Sequence, residues 1–347
     1  MPPDEDFPVS EGEAMLLPRE PRGFAPEEMV RCEECLRANP PVRTNCMYCA
    51  ALLPVTDASA ALRKPTLRPL EKWEQGFNSI YIPGQDASAD AARLEAIASL
   101  LRLSSEDVRR VFEATQPLPL ARAATEEEAL LIERRLEELG VRVLTVADAE
   151  LALETNPPKR VRALELGDNA LVAWPTGGNE TLRAAWDEIG LLVVGRIVTR
   201  QVEVEERRGR RDENEIVETR ELSNDLALLD IYSSATEGNW RIVAGNFDFS
   251  CLRDRKSLLA SANFAKLRAE LRARAPRARD DDSYARVRHA LGAAWPLEQQ
   301  TASRGWRRGG PGRISTEMVT TIDNERQFTR YSRLLNYLES RRTDAAA

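Results

Sequence analysis

The hydrophobic positions between Phe77 and Val146 change period several times, and each change marks an element. FNSIYIP (77–83) reads as a short strand closed by Pro83-Gly84. Over 88–103, Ala91, Leu94, Ile97, Leu100 and Leu101 recur at helical spacing. Ser104, with Asp107 three residues on, opens a second helix in a capping-box arrangement and buries Val108, Val111 and Phe112. PLPLARA (117–123) must be extended, because proline disfavours helix at the residue before it. Thr125 and Glu128 cap a third helix with Ala129, Ile132, Leu136 and Leu139 on one side, and Gly140 ends it. VRVLTV (141–146) is then a strand. The predicted order is β-α-α-β-α-β.

From 158 to 278 a period of two dominates. VRALEL (161–166) and ALVAW (170–174) flank a Gly167-Asp168-Asn169 turn as a hairpin. LLVVGRIVTRQVEVE (191–205) sets Val198, Val202 and Val204 on one face, and EIVETREL (215–222) returns after the charged tip RRGRRDEN. LALLDIYSS and NWRIVAGNFDFS flank Thr236-Glu237-Gly238, and Phe264, Leu267 and Leu271 mark a closing helix stopped by Pro276. DDDSYARVRHALGAAW begins the last part as a short helix. A loop rich in Arg and Gly follows (303–313), then an amphipathic helix with Phe328, Tyr331, Leu335 and Leu338 on one face.

The expected fold class is multidomain α+β. An acidic, Pro-rich disordered tail (1–27) precedes a cysteine module (28–54), a linker (55–70), the α+β domain (71–150), a mostly antiparallel β domain with a closing helix (158–278), and a C-terminal extension (279–347). Hydrophobic residues at 42% supply real cores, and a net charge of −7 weighs against the whole surface binding nucleic acid or anionic membrane. Local basic patches remain compatible with that total. No stretch reaches the roughly 18 apolar residues of a membrane span; Ile189 to Val198 is broken by Arg196 and reads as a buried strand. The acidic N-terminus is unlike a secretory signal. Five cysteines, four of them bunched, point to a reducing cytoplasm.

Those four carry the clearest chemistry. Cys32-Glu33-Glu34-Cys35 and Cys46-Met47-Tyr48-Cys49 are two tight turns, separated by ten residues that bring the second back opposite the first. Four thiolates at ~2.3 Å suit one structural zinc ion, ahead of iron or a thiol redox switch, and a closed set leaves no coordination position for water. The pattern resembles the short bacterial zinc ribbon, with Asn39-Pro40-Pro41, Tyr48 and Leu52 in the expected places. Leu36 and Ala50 replace the ribbon's customary glycines, which implies slight strain in each turn.

Two further resemblances concern fold. The order over about 70–148, ending in EELGVRVLTV, resembles the ribosomal stalk protein C-terminal domain and the ClpS adaptor family, without a matching degron pocket. The strand-rich region resembles a pleckstrin-homology (PH)-type barrel, with Trp186-Asp187-Glu188-Ile189 similar to the lead-in to a strand in bacterial members.

Elsewhere the chemistry is sparse. The single histidine, His289, reads as a surface residue of a short helix, and Cys251 as a small buried hydrophobe ending the alternation Phe247, Phe249, Cys251. Asp280-Asp281-Asp282 reads as a solvated loop. The sequence has no P-loop, dinucleotide glycine pattern, GxSxG or HExxH. Of two basic clusters, Arg207, Arg208, Arg210 and Arg211 are diluted by neighbouring acids. Arg304, Trp306, Arg307 and Arg308 combine cations with an aromatic, which suits either a flexible solubilising loop or a nucleic-acid contact. The expectation is a non-enzymatic, cytoplasmic zinc-binding protein acting as a protein-interaction or adaptor module. The alternative is a nucleic-acid- or ribosome-associated factor using the zinc ribbon with Arg304, Trp306, Arg307 and Arg308.

Overall fold

Where apolar residues run on without alternating, both faces of a strand must be covered, and that requirement organises the larger part of this protein. The computed structural model describes residues 23–54, 56, 59, 62–63, 65–84, 90–178, 180–208, 214–235, 238–310 and 313–346, with side chains at 205–218 and 304–317 and beyond 342 outside the description. The chain forms two units, Met1–Arg63 and Lys64–Ala347.

In the first unit, Pro26–Glu28 make a 3-10 turn, and strands β1 (Val30–Arg31) and β2 (Ala38–Asn39) pair antiparallel. Among its described residues the buried apolar cluster is Val30, Cys32, Cys46 and Leu53. The expected tail lies outside the described residues up to 22, whereas 23–27 lead into the 3-10 turn. The expected linker is not free chain either. Arg63 is buried, and its guanidinium donates to the carbonyls of Pro41 (3.0 Å) and Leu53 (3.1 Å).

The second unit opens with β3 (Phe77–Tyr81), α1 (Ala91–Leu101), α2 (Ser105–Glu113), β4 (Leu118–Ala123), α3 (Glu126–Glu138) and β5 (Val143–Ala147). The strands form an antiparallel sheet in the order β4-β3-β5. Ser104 and Thr125 cap α2 and α3, accepting the Asp107 and Glu128 N–H groups. Pro119 sits on the edge strand β4, where a missing N–H costs no ladder bond. The linker's other end is also tied here: the Leu67 N–H donates to Glu128 at 2.7 Å.

The second sheet contains β6 (Lys159–Leu166), β7 (Ala170–Pro175), β8 (Leu182–Ala185), β9 (Ile189–Arg208), β10 (Asn214–Ser233) and β11 (Asn239–Val243). After α4 (Ala260–Arg274), β12 (Arg279–Asp281) and α5 (Tyr284–Leu291), it gains β13 (Glu298–Gly310) and β14 (Arg313–Asp323); α6 (Glu325–Ala346) follows. The strand order is β13-β14-β9-β10-β11-β6-β7-β8, with β12 pairing β9 in parallel. On one face Leu192, Leu229, Ile231, Trp240 and Ile242 pack with Phe264, Leu267 and Leu271 of α4. On the other, Leu191, Val193, Leu228 and Tyr232 join a core that includes Ile80, Ile97, Val108 and Leu120 of the first sheet and its helices, Tyr284 and Trp295, and Phe328, Tyr331, Leu334 and Leu335 of α6. One buried cluster thus draws on residues from both sides of the expected boundaries near 150–158 and 278–279. Among the described residues no helix is long and apolar enough to cross a membrane.

Four local expectations need correction. Residues 303–310 and 313 are strand rather than loop: β14, rich in β-branched residues and itself paired to β9, templates the Gly- and Arg-rich β13, with register shifts beside its glycines. Phe249–Arg255 is a 3-10 segment, begun where the Asp248 side chain takes the Ser250 N–H, so the alternation through Cys251 is not a strand. The Asp280 run is not a solvated loop, because Arg268 binds Asp280 and Asp282, and Asp281 is buried against Ser283 and Tyr331.

Helix α6 departs furthest from expectation. Every residue from Gln327 to Leu335 is buried, not one face alone. Its Phe328 ring packs where a side chain on Gly195 would lie, so β9 needs glycine there. The polar residues are met by partners. The Asp230 carboxylate accepts two bonds from the Arg241 guanidinium, both at 2.7 Å, and one from Ser332 at 2.8 Å. Arg241 also donates to Thr329 at 2.9 Å. Burial works against the Arg241 charge, but Asp230 more than restores it and holds the guanidinium protonated.

Removing one member of a fully buried pair leaves a bare charge, at a cost of about 3–5 kcal/mol. Asp230→Asn is expected to lower the second unit's stability by that order in denaturant unfolding followed by circular dichroism, whereas replacing the exposed Asp225 partner of Arg196 costs about 1 kcal/mol or less.

Candidate metal centre

The two cysteine turns have the same backbone. The Leu36 N–H donates to the Cys32 carbonyl (2.9 Å) and the Cys32 N–H to the Arg37 carbonyl (3.0 Å); the Ala50 N–H donates to Cys46 (3.0 Å) and the Cys46 N–H to Ala51 (2.7 Å). The residue after each second cysteine must turn left-handed, and Leu36 and Ala50 do so with φ of 59° and 61°. These are the glycine positions of the ribbon pattern, and an L side chain there costs about 1–2 kcal/mol.

Asn39 locks the turns together. It is wholly buried; its side-chain amide donates to the Arg37 carbonyl (2.9 Å), and its oxygen accepts the Met47 N–H (2.8 Å). The sequence pattern noted Asn39 without a role. Arg63 was missed outright, since nothing in a linker-like run marks one arginine as the clasp for two carbonyls.

The sulfurs of Cys32, Cys35, Cys46 and Cys49 all lie within 4.8 Å of one another, with Cys32–Cys49 at 3.6 Å and Cys35–Cys46 at 3.5 Å. Sulfurs placed ~2.3 Å from a common centre at tetrahedral angles stand about 3.8 Å apart, so the four fit one metal ion. The Tyr48 N–H donates to the Cys46 sulfur at 3.4 Å. Burial opposes charge on Cys46, but the Tyr48 and Cys49 N–H groups and Cys35 outweigh it and lower its pKa to about 6. At Cys49 the Ala51 N–H favours the thiolate, yet burial and the three neighbouring sulfurs prevail and push it up to about 12. Four adjacent thiols cannot all ionise without a cation, and a bound metal supplies one.

Among the described residues the other candidates join no metal-ligating cluster. His289 is exposed on α5. Cys251 is half-buried, and burial pushes its thiol up to about 11, away from nucleophilic use. Arg304, Trp306, Arg307 and Arg308 lie on β13, and their side chains are outside the described residues, as are those of Arg207, Arg208, Arg210 and Arg211. The backbone register nevertheless sets Ser315 of β14 between Arg307 of β13 and Arg207 of β9.

Cys46→Ser is expected to abolish the one-per-chain metal content in elemental analysis and to unfold the first unit alone, leaving the second unit's melting transition in place. Ala50→Gly relieves the left-handed strain at an exposed position and should slow metal loss to a chelator, consistent with about 1 kcal/mol of added stability. No family model, no curated protein and no solved structure matches the chain, so the reading of its function rests on its own residues.

Proposed function

We propose that this protein is a non-catalytic, cytoplasmic binding protein whose first unit is a zinc ribbon that docks onto a protein partner. Four sulfur ligands favour zinc over the hard, oxygen-seeking cations, and a full set of protein ligands gives the metal a structural task. The observation that carries the docking reading is what the turns leave outside. Leu36, Met47 and Tyr48 are 65%, 57% and 56% exposed, on a unit whose buried cluster holds four residues among those described. Arg37 lies over the Tyr48 ring at 4.7 Å, so Leu36 and Tyr48 belong to neighbouring parts of that surface. Apolar side chains held outward by a rigid metal turn are the usual material of an interface core.

The β-α-α-β-α-β order over 77–147 supports the adaptor-like resemblance as a second binding element, with α2 already packed on α5. A nucleic-acid reading is favoured by a different observation, the pairing of β14 with both β13 and β9, which leaves one strand between the backbones of Arg307 and Arg207.

Affinity capture of the tagged full chain from its own cells, with and without nuclease, separates the two. Met47→Asp with Tyr48→Ala is expected to retain zinc and folding while losing a nuclease-resistant set of proteins. Capture that vanishes with nuclease and falls when Arg304, Arg307 and Arg308 are reversed in charge would instead establish the nucleic-acid reading.

A further inference from the structure

A small cavity of about 110 Å³ opens in the second unit, lined by Lys72, Trp73 and Glu74 ahead of β3, by Asp148 and Glu154 after β5, and by Arg326 and Arg330 on α6. Its charges are matched with one exception. Lys72 is near Glu298 at 3.9 Å, Arg68 binds Glu74, Arg122 binds Asp148, and Arg326 binds Glu154 at 2.6 Å. Burial disfavours charge on Asp148, but Arg122, Asn78 and the Gly76 N–H hold its carboxyl below the usual range, so it stays committed to Arg122. Arg330 is only 7% exposed, makes no hydrogen bond or ion pair, and has an orphaned Nε.

The carboxylates around it, Glu74, Asp148, Glu154 and Glu298, are each bonded to another cation. Arg326 stands one helical turn before it and lines the same cavity, so two guanidinium groups face one space at the i, i+4 spacing where like charges repel. Burial, with Arg122 and Arg326 adding to it against the opposing pull of Asp148 and Glu298, lowers Arg330 to about 10, which still leaves it charged at neutral pH. A buried guanidinium without an acceptor is an incomplete arrangement, and its planar fork is shaped for two oxygens of a carboxylate or phosphate.

We infer that this cavity is a binding site for a small oxyanion, received by Arg330 and entered past Trp73. The volume limits the ligand. Pockets for drug-sized molecules run to about 300–1,000 Å³, so this one takes a single phosphate, sulfate or short carboxylate group rather than a nucleotide. Any larger body attached to that group must lie outside, across Trp73, which is 79% exposed at the mouth. The site is independent of the zinc ribbon and of what the ribbon docks upon.

The test is a thermal melt of the full chain titrated with inorganic phosphate, sulfate or acetate at constant ionic strength, with sodium chloride as the reference. A saturable rise in the second unit's melting temperature is expected. The anion giving the lowest half-saturation identifies the preferred group: phosphate and sulfate point to a tetrahedral ligand, acetate to a carboxylate. Arg330→Lys keeps the charge but loses the fork and should raise half-saturation at least tenfold; Arg330→Met should abolish the effect. Trp73→Phe should keep the rise while removing the accompanying change in tryptophan fluorescence. A response no larger than that to sodium chloride, or an equal response in folded Arg330→Met, overturns the assignment. If neither Arg330 variant folds, a crystal structure of the wild-type protein with phosphate decides. Density against Arg330 upholds the site, and density elsewhere or none refutes it.

Discussion

The second unit depends on burying a helix that is not apolar. Nine consecutive residues of α6, Gln327 to Leu335, are buried, and they include Gln327, Thr329, Arg330, Ser332 and Arg333. A polar helix in a core is stable only if each polar group finds a partner there. The Asp230–Arg241 pair on neighbouring strands serves two of the five. It gives Ser332 an acceptor and Thr329 a donor while neutralising itself. Gln327 is met by the Trp295 carbonyl at 2.7 Å and by the Tyr284 hydroxyl at 3.0 Å. Arg330 is the residue this service omits, which makes it informative.

The same helix explains why the sheets share one core. β9 and β10 carry apolar residues on both faces, with α4 over one face and α6 over the other. A second buried polar knot ties the smaller sheet in: Trp295 donates to Asn78 at 2.8 Å, and Asn78 donates to Asp148 at 2.9 Å. Beyond about Thr199 the long strands outrun the helices, and Thr219 to Asp225 are exposed. There the main chain of β9 is paired on both sides, with β10 and with β14.

The first unit solves the opposite problem. Val30, Cys32, Cys46 and Leu53 bury too little apolar surface to fold a chain segment unaided. A metal ion held by the four thiolates would add to that small core, on the order of 10–16 kcal/mol where such a site takes zinc. Two copies of one turn, joined through Asn39, place the sulfurs. The left-handed φ at Leu36 and Ala50 is strain that binding of a metal would offset.

Local rules made a large part of this legible from the residues alone. Cysteine spacing marked the ligand set, because two-residue separations dictate turn geometry. Ser104 and Thr125 marked helix starts, and the period of two marked β6 and β7, because caps and alternation act between near neighbours. Other features had no local signature. The Gly- and Arg-rich stretch over 303–310 is a strand only because β14 offers it a ladder. Arg63 is a clasp only because the Pro41 and Leu53 carbonyls face it. Burial of α6 on all sides, the pairing of Asp230 with Arg241 and the solitude of Arg330 depend on residues far apart in the chain. Sequence determined which segments turn, cap and alternate; tertiary structure decided which charges meet, since electrostatic partnership is a matter of distance in space.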